Sequence, residues 1–312
     1  MRLFEKLKSM FHLHYGIVFK IPRKMAKPIL SLFFPIVKAI WKLPNIKTIE
    51  DTILELKNSK KSIARFGDGE IQYIVHKLNL KYQEYDKNLA NKLESILKSE
   101  YENLLVGLPD GYRSLEEIEP NFRTYWRAMI VLYYPGFFKF LNPKKQYYNA
   151  NITRLYYGYI DKEKCAYHFK LIRSLWDNKK IVLIEGEKSR LGAGNDLFSN
   201  SSELKRILAP AHHAYREIEN LLSEALKQPK DCLVLVALGT TAKALVFDLM
   251  NEGYQAIDIG NLDLEYEWFK RGVKERIIIP GKYVSEVKGG RVVADIEDPL
   301  YHSQIIARYT GN

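Results

Sequence analysis

The chain reads Arg-Phe-Gly-Asp-Gly-Glu at residues 65–70, between a short apolar stretch and a run with helical spacing. Residues 62–64 predict a buried strand, and the apolar residues of 71–78 recur at the spacing of an amphipathic helix. The segment therefore predicts a strand, a tight glycine turn and a helix. Asp68 and Glu70 stand on either side of a glycine, which leaves the backbone free to turn.

Two interpretations of this turn are open. The turn can aim both carboxylates at one point, and hard divalent cations prefer such oxygen ligands. Alternatively, Asp68 caps the helix and Glu70 lies favourably in its first turn.

The composition is that of a globular protein. The chain has 312 residues, of which 46% are hydrophobic and 27% charged, so a substantial core is expected. Its two cysteines, Cys165 and Cys232, form neither a disulfide framework nor a zinc-ligand pattern. We see no secretory signal at the N-terminus and expect a reducing, cytoplasmic location.

The net charge of +11 is concentrated at one end of the chain. Residues 1–44 contain nine Lys or Arg and one Glu, a net charge of +8. The remaining residues contain 39 basic and 36 acidic side chains, a net charge of +3. A nearly balanced body without interleaved basic and aromatic residues argues against nucleic acid as a partner.

Residues 1–44 form a basic, apolar leader, and residues 45–312 are expected to form a single domain. The apolar run at 28–41 is interrupted by Pro35 and Lys38, and is too short to span a bilayer. A helix lying on the inner face of the cell membrane fits, with its lysines near anionic head groups. The other interpretation is that the leader packs on the main domain or on a second subunit.

Alternating strands and helices predict the fold. Residues 181–184, 232–238 and 256–259 are apolar runs of the kind buried on both faces of a parallel sheet. We expect helices at about 203–208, where Asn200 and Glu203 have capping-box-like spacing, and at 211–227 and 241–251. The pattern predicts an α/β fold with a doubly wound, mostly parallel sheet.

The first half of the chain is less regular. We expect strands at 62–66 and 103–107, helices at 48–58, 69–78 and 86–101, and a helix from Pro120. A tyrosine-rich tract at 147–159 surrounds Arg154. This tract predicts either a sugar or base site or a buried strand.

Functional side chains follow the three strands of the second half, where ligands of open α/β sheets bind. Lys188 and Arg190 can offset the charge of a diphosphate, and Gly194 lets backbone amides approach it. Gly239 and Thr240 open a helix and offer amides and a hydroxyl to an anion.

The acidic residues after the third strand supply a candidate general base. Asp263, Glu265 and Glu267 follow that strand within a few residues of its end. No Walker or GxGxxG pattern is present, which disfavours dinucleotide binding and nucleotide hydrolysis of the Walker type.

Four stretches, residues 65–70, 185–198, 237–245 and 253–269, together resemble a family of bacterial glycosyltransferases with the GT-D fold. The family was first described as a domain of unknown function. The resemblance covers roughly residues 45–285. It implies a metal-dependent enzyme that uses a nucleotide-sugar donor, with Asp68-x-Glu70 as a DxE motif for Mn²⁺ or Mg²⁺. The family commonly has histidine where this chain has Asn261, so a role of that histidine is not carried over.

The resemblance leads to a specific expectation: inverting transfer of a hexose from a UDP-sugar to a glycan, glycolipid or glycoprotein acceptor. Glu267 is the expected base, ahead of Asp263 and Glu265. The residues expected to bind the donor are Arg65, Gly67, Arg154, Glu187, Lys188, Arg190, Gly194, Asn195, Asp196, Gly239 and Thr240. The alternative is a non-catalytic scaffold that binds nucleotides or glycans at the membrane. The oligomeric state is left open.

Overall fold

A computed structural model of the protein describes residues 23–310. Within that range a sheet of nine strands runs through the centre, and every pair of neighbouring strands is parallel. The strands are β1 (Asn45–Ile46), β2 (Ser62–Arg65), β3 (Leu104–Leu108), β4 (Gln146–Asn149), β5 (Lys180–Gly186), β6 (Glu203–Ala209), β7 (Leu233–Ala237), β8 (Gln255–Asp258) and β9 (Ile305–Arg308).

Helices cover both faces of the sheet. They are α1 (Arg23–Ser31), α2 (Phe34–Ile40), α3 (Ile49–Ser59), α4 (Asp68–His76), α5 (Lys87–Lys98), α6 (Pro120–Phe137), α7 (Lys162–Arg173), α8 (Ile218–Leu226), α9 (Thr241–Asn251), α10 (Leu262–Lys270) and α11 (Pro299–Ser303). Short 3₁₀ turns lie at Asp110–Tyr112, Phe138–Phe140, Ala150–Thr153 and Ala214–Glu217.

The strand order is β1-β4-β3-β2-β8-β7-β5-β6-β9. Strand β7 shows why the central strands are apolar throughout: Val234 and Val236 enter the core on one face, and Leu233 and Leu235 enter the core on the other. The predicted α/β fold with a doubly wound, mostly parallel sheet is confirmed. The two halves of the sheet meet at β2 and β8. The connection after β2 leads to β3 on one side of this junction, and the connection after β8 leads to β9 on the other side.

Residues 203–208 do not form the predicted helix. They belong to β6, which pairs with β5 from Glu203 to Ala209 and with β9 on its other side. The capping-box-like spacing of Asn200 and Glu203 favoured a helix, but the Arg206 guanidinium is buried on Glu185, with 2.5 Å between Nη1 and Oε1. Tertiary pairing therefore outweighs the local capping signal.

The helices α1 and α2 pack on α6 through one face. Leu30, Val37 and Trp41 are buried there. The predicted leader thus contacts the main body within the described residues, and its first 22 residues lie outside them. None of the helices in residues 23–310 has the length and apolar character that crossing a bilayer requires.

Candidate active site

A solvent-open cleft with a cavity volume of about 190 Å³ lies beyond the carboxyl ends of β5, β7 and β8. Three of the predicted site residues, Arg154, Gly239 and Asp263, line it. The cleft is also lined by residues to which the sequence analysis gave no role, namely Tyr82, Ser189, Asn261, Tyr283, Ser285 and Glu286.

The Asp68-Gly-Glu70 turn adjoins this cleft at the start of α4. Gly67 precedes the helix, and its amide donates to Glu70 Oε2 at 2.9 Å, so the amide predicted for the donor is used within the turn. Tyr125 donates to Asp68 Oδ2 at 2.5 Å. Tyr82 joins the turn to the cleft, because it lines the cleft against Gly239 and its hydroxyl lies 3.7 Å from the position that a Cβ at Gly69 would occupy. Burial and the charge of Glu70 both raise the pKa of this tyrosine.

A buried ammonium group faces Glu70. Lys243 Nζ lies 3.0 Å from Glu70 Oε1 and 3.1 Å from Asp258 Oδ2, and it donates to the Gly239 carbonyl at 2.9 Å. The Thr240 hydroxyl donates to the same Glu70 oxygen at 3.2 Å. Thr240 therefore orients Glu70 instead of facing the cleft, where the sequence analysis expected it.

Glu70, Lys243 and Asp258 form a series of alternating charges, and Arg65 continues it. Its Nη2 lies 2.8 Å from Asp258 Oδ1, and its Nη1 donates to the Ala150 carbonyl at 2.7 Å. Burial opposes ionisation of Asp258, but Arg65 and Lys243 outweigh it and lower its pKa. Because the Arg65 guanidinium is used in this way, its placement does not fit the predicted donor contact.

The turn fits a divalent cation through Asp68 more readily than through Glu70. Among the described residues no hydrogen bond reaches Asp68 Oδ1, whereas both oxygens of Glu70 accept hydrogen bonds. Mg²⁺ is commonly held by one or two carboxylates together with substrate phosphates, so Asp68 with a diphosphate is a sufficient ligand set. Residues 23–310 contain no group of three or more His, Cys, Asp or Glu placed to hold a metal by themselves.

Glu286 forms the polar centre of the cleft. Its Oε1 accepts from Arg154 Nη2 at 2.8 Å and from Asn261 Nδ2 at 2.6 Å. Burial opposes ionisation of Glu286, but Arg154 and Arg276 outweigh it and bring its pKa to about 2. Glu286 is therefore a permanent anion at neutral pH.

Glu265, one of the predicted bases, lies against Arg154, the residue that holds Glu286. It is fully buried, and its Oε2 accepts from the amides of Tyr156 and Tyr157 at 3.1 and 2.8 Å. Its Oε1 lies 3.5 Å from Arg154 Nη1. Burial raises the pKa of Glu265. The residue positions Arg154 and has no access to an acceptor.

Asp263 and Glu267 share the cation Lys282. Its Nζ lies 2.7 Å from Asp263 Oδ2 and 3.3 Å from Glu267 Oε1. Asn195 Nδ2 donates to both carboxylates at 2.7 Å. Burial opposes ionisation of Glu267, but Asn195 and Lys282 outweigh it and lower its pKa. Glu267 is also paired with Arg271 and does not line the cleft, so this placement does not fit the predicted base.

The loop after β5 is mainly structural. Arg190 is buried, and its Nη1 donates to the carbonyls of Gly281 and Ala294 at 2.9 and 2.6 Å. This placement does not fit the predicted phosphate contact. Asp196 faces another side, where it accepts from Tyr266.

Within residues 23–310, three other predicted residues of that loop, Glu187, Lys188 and Gly194, are not held by such side-chain contacts. Lys188 is exposed, and Glu187 is half-buried. Among the described residues neither side chain makes a hydrogen bond with the protein. Gly194 has a φ of +73°, in the left-handed region that favours glycine.

After β7, the Tyr82 ring packs closely on Gly239 and forms one wall of the cleft. Gly239 has a φ of +55°, and a Cβ there would lie 2.3 Å from the Tyr82 ring. The glycine is thus required for this ring to enter the cleft. The sequence pattern marks Gly239 as a turn, but it carries no signal for Tyr82, which is more than 150 residues away in the chain.

Comparisons with known proteins agree with this architecture. The sequence profile of the glycosyltransferase GT-D fold matches residues 63–287. Over 264 residues the chain is 33% identical to "Glycosyltransferase GlyD" of Streptococcus pneumoniae serotype 4 and 33% identical to "Probable glycosyl transferase Gly" of Streptococcus gordonii. These matches cover 84% of this chain and 32% and 38% of the relatives, so the chain spans about a third of the length of the curated relatives it matches.

Two solved structures are similar over their whole length. A domain of unknown function 1792, described as having a distinct glycosyltransferase fold, has a TM-score of 0.81 and 32% identity and covers 92% of this chain. A structure described as a new glycosyltransferase from Streptococcus sanguinis has a TM-score of 0.81 and 32% identity over 86% of this chain. The alignment with this chain covers 100% of each of these two structures.

Proposed function

Because this chain belongs to the GT-D family of glycosyltransferases, we propose that it transfers a hexose from a nucleotide sugar to a glycan or glycoconjugate acceptor. The observation that carries the proposal is the open cleft beside the junction of the two sheet halves, in which Arg154 and Asn261 hold the carboxylate of Glu286. The nucleotide in our proposal is UDP, and the product belongs to surface polysaccharide or glycoprotein assembly.

The donor would lie along the glycine-lined wall of the cleft. Gly186, Gly239 and Gly260 line it, and the absence of a Cβ lets the Tyr82 ring pack on Gly239 and the Arg65 guanidinium on Gly260. Asn261 and the ionised Glu286 can hold hydroxyl groups of the ribose or the sugar, since a carboxylate accepts such hydrogen bonds strongly.

Asp68 would hold Mn²⁺ or Mg²⁺, with Glu70 beside it. A bound ion of this kind neutralises the charge that develops on a departing diphosphate. Tyr125 fixes one Asp68 oxygen, and Lys243 neutralises Glu70. The cleft edge therefore offers one principal carboxylate ligand and a second whose charge is already balanced.

The acceptor hydroxyl requires a carboxylate close to the donor. Of the three predicted bases, Asp263 lines the cleft, and Glu286 is a fourth acidic residue that does so. Direct displacement with one such base inverts the configuration of the sugar, and this is the stereochemistry we propose.

A non-catalytic scaffold that binds nucleotides or glycans is the second candidate. One observation favours it: all three predicted bases are held by cations or backbone amides of the protein. Such a scaffold would bind a nucleotide sugar without breaking it, and a divalent cation would not change its affinity.

The deciding experiment is a panel of nucleotide sugars, scored for release of nucleoside diphosphate with Mn²⁺ and with a chelator. Metal-stimulated release that grows with an added glycan acceptor is the expected result. Binding without release, equal in both conditions, would instead establish the scaffold.

We also propose that the protein works on the inner face of the cell membrane. Along α1 and α2, Ile29, Leu32, Ile36 and Ile40 are 41–75% exposed. Lys27 and Lys38 are exposed beside them. An apolar stripe flanked by lysines suits a bilayer with anionic lipids.

A further inference from the structure

The cations around the cleft are matched by acceptors of the protein itself. Within the described residues, each of the following donates to or pairs with a carboxylate or a carbonyl: Arg65, Arg154, Arg190, Lys243 and Lys282. A diphosphate entering the cleft would therefore have to compete with existing partners for these groups. Arg190, which the sequence predicted to meet the phosphates, already donates to the carbonyls of Gly281 and Ala294.

Arg276 differs from this set. Its Nε is buried and has no hydrogen-bond partner among the described residues, as is also true of Arg154 Nη1. Arg154 nevertheless pairs with Glu265 and Glu286, whereas no carboxylate of the described residues lies within 4 Å of the Arg276 guanidinium. The residue lies in the irregular segment after α10, where hydrophobic periodicity carries no information. A buried N–H without an acceptor is costly, so an acceptor supplied by a ligand would satisfy it.

Two aromatic rings hold the Arg276 guanidinium. Its central carbon lies 4.4 Å from the centroid of the Tyr157 ring and 5.9 Å from that of Trp268. Trp268 is itself fixed, because its Nε1 donates to the Ile277 carbonyl at 3.1 Å. A guanidinium that is fixed on aromatic faces loses little entropy when it binds an oxyanion.

The position of Arg276 relates it to both sides of the site. The Tyr157 amide donates to Glu265 Oε2 at 2.8 Å, and Glu265 Oε1 lies 3.5 Å from Nη1 of Arg154, which lines the cleft. The Tyr157 ring packs on Phe122, one turn before Tyr125 on α6, and Tyr125 donates to Asp68. Through Tyr157, Arg276 is thus connected both to the lining of the cleft and to the helix whose Tyr125 holds Asp68, and its charge contributes to the low pKa of Glu286. An oxyanion between these groups is the ligand that this arrangement lacks.

We propose that Arg276 binds the diphosphate of the nucleotide sugar and stabilises it as it leaves. The inference rests on the proposed glycosyltransferase function. In the transfer, the bond from the anomeric carbon to the diphosphate oxygen breaks and the acceptor oxygen forms the new bond. The acceptor proton passes to a carboxylate, and Arg276 stays protonated throughout. Because a guanidinium offers two parallel donors, a lysine at this position would not replace it.

Calorimetric titration of the full chain with uridine, UMP and UDP in the presence of Mg²⁺ tests this proposal. In Arg276→Gln, and to a smaller extent in Arg276→Lys, we expect the affinity for UDP to fall by about tenfold to hundredfold, as for a lost hydrogen bond to a charged group. The affinity for uridine should stay unchanged. Lys274→Gln removes an exposed positive charge two residues away and should leave all three affinities unchanged.

The other outcomes are distinct. Equal loss for uridine and UDP, or UDP binding as tight as in the wild type, would overturn the role of Arg276. Arg276→Lys keeps the charge and the aliphatic stem, so it covers the case in which Arg276→Gln does not fold. If the wild type bound neither UMP nor UDP, the proposed function itself would fail. If the wild type turned over donor and Arg276→Gln did so with the same kcat and KM, only this inference would fail.

Discussion

Lys243 places its ammonium nitrogen 3.0 Å from Glu70 Oε1, and both side chains are almost completely buried. The two carboxylates of the Asp68-Gly-Glu70 turn are therefore not equivalent: the protein itself neutralises one of them. The same nitrogen also lies 3.1 Å from Asp258 Oδ2. A lysine that links two buried carboxylates at a sheet junction stabilises the turn before any ligand binds.

The first prediction concerns that lysine. Lys243→Met leaves Glu70 and one oxygen of Asp258 without their cation, and breaking a buried pair in this way costs about 3–5 kcal/mol. The free energy of unfolding in urea should fall by that amount. Lys92→Met is the matched control, because Lys92 pairs with Asp248 in a half-exposed position. That change should cost about 1 kcal/mol or less. Equal losses in the two variants would contradict the assigned role of Lys243.

The second prediction separates Asp68 from Glu70. Asp68→Asn should lower metal-stimulated release of nucleoside diphosphate by about a hundredfold or more, because it removes the principal ligand for the cation. Its free energy of unfolding should change little. Asp51→Asn is the control, since Asp51 occupies the first turn of α3 and is exposed. Full metal stimulation in Asp68→Asn would rule out the proposed metal site.

A third prediction follows from Glu286. Its pKa of about 2 in the folded protein is below the ordinary value of 4.5. A depressed pKa contributes stability above the unfolded value, and this stability is lost as the pH falls through the folded value. A shift of this size corresponds to about 3 kcal/mol, lost between about pH 5 and pH 2.

Glu286→Gln tests this linkage. The variant should be less stable than the wild type at pH 7, and the two stability curves should converge as the pH approaches 2. Urea unfolding at half-unit pH intervals gives the measurement. A constant difference between the curves down to pH 2 would show that Arg154 and Arg276 do not act on this carboxylate as described.

The local sequence pattern predicted the central strands of the sheet correctly, but it missed or misassigned strands at and next to the edges. The strands β5, β7 and β8 are apolar throughout because both faces are buried, and such runs are legible in the sequence. Strand β6 was wrongly predicted as a helix, because the spacing of Asn200 and Glu203 is typical of a helix start and the pairing of β6 with β5 and β9 is not visible in the local sequence. The short edge strands β1 and β9 were not predicted.

The candidate site likewise contains some residues that the sequence pattern marks and others that it does not. Asp68 and Gly239 lie at strand-to-helix turns, which glycine and acidic residues mark in the sequence. Glu286 and Arg276 lie between α10 and α11, in a segment without regular structure, so no spacing identifies them. Their relevance comes from contacts with Arg154 and the aromatic rings, which only the fold brings together.

The last prediction concerns the membrane. Deleting the whole leader would not test it cleanly, because Leu30, Val37 and Trp41 are buried against the main domain and their loss would damage the core. Point substitutions on the exposed face avoid this problem. Leu32 is 75% exposed and Ile36 is 47% exposed, so serine at either position should leave the free energy of unfolding unchanged.

In flotation with vesicles that contain anionic lipid, each of these two substitutions should lower the partition coefficient by about tenfold, since burying such a side chain is worth roughly 1.5–3 kcal/mol. Leu300→Ser is the matched control, because Leu300 is 69% exposed on α11, outside the leader. Higher salt should weaken the binding of the wild type, because it screens Lys27 and Lys38 from the lipid head groups. If Leu32→Ser and Ile36→Ser floated as well as Leu300→Ser, the exposed stripe would not be a membrane contact. A second subunit would then be its expected partner, and sedimentation of the same variants would measure that association directly.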